Sequence, residues 1–449
     1  MRRKKDQSRR PKRRPDARGS VASPKEKYRL GLANGYKEGL KAGCDSYGNH
    51  FDGTSIIISC RNEAEYLKRC IESIMEHTEL PYEVIVIDSG STDHTQQYLK
   101  GLDGQVRYCL LGNDAGFVMS ANRGLMMAKG TTMLLLSNRI IATEYWLENM
   151  LNCLNSDSSI GMVGPVSNGW QGNQHKALRC EKLEDMHELA RINNVIDAGA
   201  RKRTERLSKE CLLFRRELLE KTGYLDEAIE HDSFCEEDYS LRVRLQGYTL
   251  LYTEEAYVHF ATINSEMKEL VEHYEATSEA STSSMLYFMD KWNNPNQILR
   301  YREELGLMTN LGEAAYYPLQ AVVKGTGNRI YWIEDQKRRL IEGMWERDAV
   351  QLSQLDVRRW EASEPITAEA AAERLDTVSV SDLHGSVLRD SEGTLYYFEN
   401  GHKREVAGLA AEQAWLMHLY PTASLSEQQM KELPSGLPII APCSLRQAL

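Results

Sequence analysis

Residues 54–99 read TSIIISCRNEAEYLKRCIESIMEHTELPYEVIVIDSGSTDHTQQYL. The aliphatic runs SIII and EVIVI have the length of buried strands. Between them Leu67, Cys70, Ile71 and Ile74 keep the spacing of one helix face. Strand, helix and strand in this order predict a βαβ unit with a parallel sheet. Each strand runs out into polar residues: Arg61, Asn62 and Glu63 after the first, and Asp88 through Asp93 after the second. Open parallel sheets bind ligands beyond such carboxyl ends, although an Asp-Ser-Gly sequence is also an ordinary turn.

The same texture continues through NDAGFVMSANRGLMMAKG (113–130) and MLLLSNRII (133–141), where a strand turns polar at Ser137, Asn138 and Arg139. Arg139 either reaches solvent and a nearby acid or serves a ligand at the strand end. Further on, Cys235, Glu236, Glu237 and Asp238 open a helix carrying Leu241, Val243 and Leu245. Acids there favour the helix dipole by themselves.

The 449 residues, 41% hydrophobic, suffice for two or three domains. No run approaches the roughly 18 apolar residues of a membrane span, and the N-terminus has no apolar secretory segment. Nine cysteines without a C-x-x-C pair suggest neither a zinc site nor a disulfide framework. A cytoplasmic protein is expected, peripheral at the inner membrane face if its tail binds there. The net charge of −10 hides that tail: residues 1–20 hold ten Lys or Arg against two Asp, leaving −18 for the rest. Such an arm is expected to be disordered and to contact acidic surfaces or simply solubilise; no aromatic residues or nucleic-acid motif accompany it, so no specific nucleic acid is expected. Gly31, Gly35, Gly39 and Gly43 then form a loosely helical connector.

Six stretches in order, NEAEYLKRCIESI, VIDSGSTDHT, NDAGFVMSANRGLMMAKG, CLLFRRELLEKTGYLDE, SFCEEDYSLRVRLQGY and YVHF, together resemble the family 2 glycosyltransferases over residues 54–262. FMDKWN at 288–293 resembles the F-x-x-K-W that often follows. The resemblance implies a GT-A fold: an α/β, Rossmann-like nucleotide-binding half joined to an acceptor-binding half in one sheet. It implies a nucleotide-diphosphate sugar as donor and a hydroxyl of a surface glycan or glycoconjugate, as in cell-envelope polysaccharide biosynthesis, as acceptor. By the same resemblance, Asn62, Glu63 and Asp88 line the nucleotide pocket, Asp93 supports it, and Asn122, Arg123 and Gly124 sit beside the base or diphosphate. A turn or packing role is the alternative for Asn122 and Gly124, and a helix-capping role for Glu63. Glu236, Glu237 and Asp238 become candidates for the general base that takes the proton of the acceptor hydroxyl, with inversion expected.

In the resembled family the strand ending at Asn138 closes with an acid that holds a divalent metal; here Arg139 stands in its place. Asn138 alone is a poor ligand for Mg²⁺ or Mn²⁺, and His259, often a helper, does not complete a site. Two expectations follow: Arg139 supplies the positive charge for the diphosphate in a metal-independent enzyme, or the chain is a catalytically silent nucleotide-sugar-binding or scaffold protein.

The expected domains are a tail and connector at 1–50, the GT-A domain at 51–262, a helical extension at 263–320, and small α+β tandem modules at 321–378 and 379–449. The modules are read from RIYWIEDQKRRLIEG (329–343) and TLYYFENGHKREVAG (394–408), which superpose at a shift of 65. Each reads as two strands around a polar turn followed by a helix. Oligomerisation or protein docking is the leading expectation for them, with glycan stacking on Tyr331, Trp332, Tyr396 or Tyr397 as the alternative.

Overall fold

The computed structural model describes residues 48–446 except 103, 113, 171, 178–182, 230–231, 262–277, 307–310 and 377–382, together with 29, 31, 34–35, 37–39, 41, 43 and 45–46. The chain divides into two units, Met1–His50 and Phe51–Leu449. In the first, the basic tail lies outside the described residues, and the four glycines of the connector are helical.

The second unit opens with β1 (Phe51–Cys60), α1 (Ala64–His77) and β2 (Tyr82–Asp88), as the βαβ pattern predicts. There follow α2 (Thr95–Gly101), β3 (Arg107–Leu110), α3 (Gly116–Met127), β4 (Gly130–Ser137), β5 (Ile140–Ile141), α4 (Trp146–Asn155) and β6 (Ile160–Ser167). Then come α5 (Leu183–Asn193), β7 (Arg201–Thr204), β8 (Cys211–Arg215), α6 (Arg216–Thr222), α7 (Asp232–Leu245) and β9 (Thr249–Phe260). The nine strands form one sheet in the order β3-β2-β1-β4-β8-β6-β9-β5, with β7 on β9. Strands β3, β2, β1 and β4 are parallel; β8 runs antiparallel between β4 and β6.

Alternation along β1 builds two cores. Ile56 and Ile58 pack beneath α1 and α4 with Leu67, Ile71 and Trp146, whereas Ile57 joins Val118, Leu125 and Phe214 on the opposite face. Each such buried aliphatic side chain contributes about 1.5–3 kcal/mol. Register sets the strand ends level: Cys60 lies opposite Asp88, and Ser59 opposite Ser137. The polar steps after β1, β2 and β4 therefore meet along one edge.

The core facing α3 and α7 runs on without a break into the C-terminal third, through Trp292, Tyr316, Tyr317, Trp360, Tyr397 and Trp415. After α8 (Ser278–Trp292) and α9 (Pro295–Glu304) come two further sheets. The first comprises β10 (Ala321–Lys324), β11 (Ile330–Glu334), β12 (Lys337–Glu342), β13 (Val350–Gln351) and β14 (Glu361–Thr367), in the order β13-β10-β11-β12-β14. The second comprises β15 (Ser386–Arg389), β16 (Leu395–Glu399), β17 (His402–Glu405) and β18 (Thr422–Ala423), in the order β17-β16-β15-β18. Both hairpins turn through two residues of positive φ, Asp335–Gln336 and Asn400–Gly401, whose twist suits a tight hairpin. A helix follows directly only in the second, at 409–414; in the first the chain runs into β13 before the short helix 354–358.

Trp332 and Tyr397 are buried, while Tyr331 and Tyr396 stack under Arg338 and Lys403. The corresponding ion pairs differ in surroundings. Glu334 pairs with Arg339 at 3.7 Å near the surface. Glu399 and Arg404 are buried, and Arg404 also donates to the carbonyls of Ala315 and Tyr317, tying the second of these sheets to the turn that leads into the first. Among the described residues no helix is long and apolar enough to cross a membrane.

Candidate functional site

A cleft of about 1670 Å³ opens along the level strand ends. On the side of the parallel strands it is lined by Arg61, Ser89, Asp114, Asn138 and Arg139, with Arg61 and Asp114 paired at 2.6 Å. Asn62 and Glu63 both adopt positive φ, so the chain leaves β1 in a tight turn. Asn62 knits that turn to the one after β2: its N–H donates to Ser91 Oγ at 2.7 Å, and its Oδ1 accepts from Thr92 N at 2.8 Å. Asp88 accepts from Ser91 N at 3.1 Å, while its other oxygen is buried without a partner among the described residues.

Asp93 accepts from Ala64 N and Thr95 N, each at 3.0 Å, and so closes the start of α1 from across the sheet as well as starting α2. Burial opposes its charge, but hydrogen bonds from Thr95 and Ala64 outweigh it and hold its carboxyl below the usual range. The cap of α1 expected from Glu63 is thus supplied by Asp93, and the Glu63 side chain makes no cap bond.

Glu63 turns instead to the end of β4. It accepts from Asn138 Nδ2 and from Arg139 Nε, both at 2.8 Å, and a second Arg139 nitrogen completes a fork; the guanidinium lies 4.7 Å from the centre of the Tyr66 ring. Arg139 is therefore held rigidly at the cleft wall, its charge shared with a carboxylate. His259 stands on β9 opposite Ile141 and contacts the Tyr257 hydroxyl at 3.2 Å, outside the lining; burial, then the nearby His187, pulls its pKa down. Among the described residues no three His, Cys, Asp or Glu side chains are grouped to hold a metal ion. The donor set around Asn138 and Arg139 does not fit a divalent cation.

The placement of Asn122 and Gly124 favours the packing alternative. Asn122 is fully buried, donating to Leu225 O at 2.9 Å and Glu227 Oε1 at 3.0 Å while accepting from Leu225 N at 2.9 Å. A Cβ on Gly124 would meet Ile57 Cγ2 at 2.2 Å, so glycine lets α3 approach β1. These two and Arg123 lie outside the lining. Asn122→Ala should therefore lower the denaturation midpoint, by about 1–3 kcal/mol for the unpaired groups left behind, and leave nucleotide affinity within a few-fold. A specific loss of nucleotide binding at unchanged stability would return Asn122 to the binding surface.

The acid cluster separates by direction. Glu236 lines the cleft: its Oε1 accepts from Lys209 N at 2.9 Å and its Oε2 lies 4.0 Å from Arg206. Burial pushes its pKa up to about 7, against the opposing pull of the Lys209 N–H and the Lys209 and Arg206 charges. Glu237 also lines the cleft but is half exposed, 4.0 Å from Arg206. Asp238 points the other way and is buried, taking Lys291 Nζ at 2.6 Å and Trp292 Nε1 at 2.8 Å. Asp238 thus lies outside the cleft lining, which Glu236 and Glu237 join.

A further group of lining residues was not marked by the sequence. It comprises the charge-rich segment 203–210, from the end of β7 up to β8, and residues 168–170 and 172–175 after β6, with Trp170, Gln174 and His175. The density of charge in RKRTERLSKE was the available signal; Trp170 had none.

Residues 55–223 match the model of the Glycosyl transferase family 2, a stretch that includes the strand ends and Arg139 and stops short of Glu236. Glycosyltransferase GlyG of Streptococcus pneumoniae serotype 4 is 26% identical over 117 residues, which are 25% of this chain and 39% of that protein. Hyaluronan synthase of Pasteurella multocida is 34% identical over 88 residues, 19% of this chain and 9% of the synthase. The chain thus spans well under half the length of either. A mannosyltransferase from Pyrobaculum calidifontis, solved with GDP-Man and Mn²⁺, superposes with a TM-score of 0.38 at 18% identity, over 52% of this chain and 65% of that one. The family match bears out a glycosyltransferase-type α/β segment over the residues it covers.

Proposed function

We propose that this chain is a glycosyltransferase that moves a sugar from a nucleotide-diphosphate donor to a hydroxyl of a glycan or glycoconjugate, with inversion. The observation that carries the reading is Glu236, a carboxyl with a pKa near 7 facing a large cleft on the same edge as the strand ends. Near neutrality it takes the proton of the acceptor hydroxyl as that oxygen bonds to the anomeric carbon and the bond from that carbon to the diphosphate breaks. Asp88, fully buried directly before the lining residue Ser89, shapes this edge by holding the turn after β2 through Ser91 N. A polysaccharide acceptor is in keeping with the name of the hyaluronan synthase among the relatives.

Arg139 faces the leaving diphosphate in this reading, held by Glu63 and Tyr66 so that no reorganisation is needed when charge develops. Removing such a contact costs on the order of 3 kcal/mol, so Arg139→Ala should lower kcat about 10²-fold as well as weaken donor binding, while a chelator leaves the wild type active. Full activity in Arg139→Ala, or loss of wild-type activity on chelation, would overturn this role.

One observation favours a second reading, a nucleotide-sugar-binding protein without turnover. Glu63 offsets much of the charge that Arg139 offers a diphosphate. A screen of nucleotide sugars and nucleoside diphosphates for thermal stabilisation, followed by assay of sugar release, separates the two. Stabilisation without release selects the binding protein; stabilisation by none rejects both.

A further inference from the structure

We infer that Trp170, on the loop after β6 that packs against Phe260, forms an acceptor-sugar subsite, donating its indole N–H to an oxygen of the acceptor saccharide; this rests on the transfer reading. Trp170 is 7% exposed and lines the cleft, yet its Nε1–H has no partner among the described residues. A buried donor left unmade is costly, and native proteins keep such groups mainly where a ligand or water completes them. An indole only donates, so the completing group is an acceptor oxygen. The rest of the ring is packed in the core that Phe260 also touches, and Phe260 lines the same cleft. An apolar C–H face rimmed by hydroxyl oxygens, as in a pyranose, satisfies both the rings and the donor.

Contacts on either side hold the backbone of this loop in place. A Cβ on Gly169 would meet Phe260 Cβ at 2.3 Å, so the loop lies directly against that ring. His175 Nδ1 lies 2.8 Å from the Trp170 carbonyl; because a carbonyl only accepts, Nδ1 carries the proton and a neutral ring keeps Nε2 as an acceptor. Gln174 accepts from Ser208 N at 2.9 Å, and the next residue, Lys209, donates its N–H to Glu236 at 2.9 Å. Gln174, four residues after Trp170, and Glu236 thus bond adjacent residues, Ser208 and Lys209. Trp170 follows β6, in the mixed half of the sheet, whereas Asp88 and Arg139 end parallel strands.

The test uses the full chain with ¹⁵N-labelled tryptophan, the Trp170 indole signal being the one that vanishes in Trp170→Phe. The probes are p-nitrophenyl glycosides of glucose, galactose, N-acetylglucosamine and glucuronic acid, each with and without UDP. The Trp170 signal should shift with at least one glycoside and stay in place with UDP alone. With the best donor, Trp170→Phe should raise acceptor KM roughly fivefold through the lost hydrogen bond, and Trp170→Ala roughly 50-fold as the platform goes too, with donor KM within twofold. An indole signal that no glycoside moves, one that UDP alone moves, or an unchanged acceptor KM in both variants overturns the subsite. Absence of sugar release by the wild type from every donor would instead count against transfer, and the indole titration reads the subsite independently of it.

Discussion

Glu236→Gln should lower turnover by about 10²–10⁴-fold, the usual contribution of a positioned general base, with donor affinity within a few-fold of wild type. The pH dependence carries a definite sign. Only the ionised carboxylate accepts a proton, so wild-type kcat/KM should rise through pH 7 and level off above it, whereas the residual activity of the glutamine variant should lack that limb. Stability should move the opposite way. The folded pKa of about 7 lies above the ordinary 4.5, so between these values the native state binds the extra proton and loses stability as pH rises. Glutamine escapes this, and the variant should unfold no earlier than wild type at pH 7.5. Wild-type turnover in Glu236→Gln would remove the residue from the chemistry.

Lys291→Ala should be among the most destabilising single substitutions, by about 3–5 kcal/mol in denaturant unfolding at neutral pH. Its ammonium is fully buried between Asp226 at 2.7 Å and Asp238 at 2.6 Å. The Tyr287 hydroxyl at 3.2 Å and Ser444 N at 3.1 Å complete Asp226, and Arg242 lies 3.7 Å from Asp238. Removing the lysine strands two carboxylates in the interior. Burial opposes the charge of Asp226, but Lys291 more than offsets it and holds the carboxyl below its usual range. In the wild type that stabilisation is present above the unfolded pKa and lost as pH falls through the folded one. In the variant burial acts unopposed by the lysine, so the gap between the two proteins should narrow from pH 7 towards pH 4. An equal midpoint at pH 7 would show that the network is dispensable. Because Asp238 lies two residues after Glu236 on α7, the variant should lose activity with stability.

The two C-terminal hairpins show how far local pattern reaches. Two hairpins at a shift of 65 were legible because alternation and polar two-residue turns are encoded within 15 residues. What Glu399 and Arg404 do in one and Glu334 and Arg339 in the other was not, because burial depends on what lies over them: the turn at 313–316 covers only the second pair.

For the cleft the division is similar. The βαβ unit, the strand running out at Asn138 and Arg139, and a helix carrying the acids were readable from sequence, although α7 begins at Asp232 and the acids stand in its second turn rather than opening it. Tertiary structure alone decided which acid faces the cleft. Positions 236 and 238 are about 200° apart around a helix, so one points to the cleft and the other to Lys291, and no local signal says which. It likewise took the level register of β1 and β4 to bring Glu63 onto Arg139, and that of β1 and β2 to set Asp93 at the start of α1. Asn122 needed Leu225, a hundred residues on, to become a packing residue, and Trp170 needed the wall built from 203–210 to become part of a site. Each is a long-range pairing of polar groups, set by how the elements stack and absent from the periodicity of any one of them.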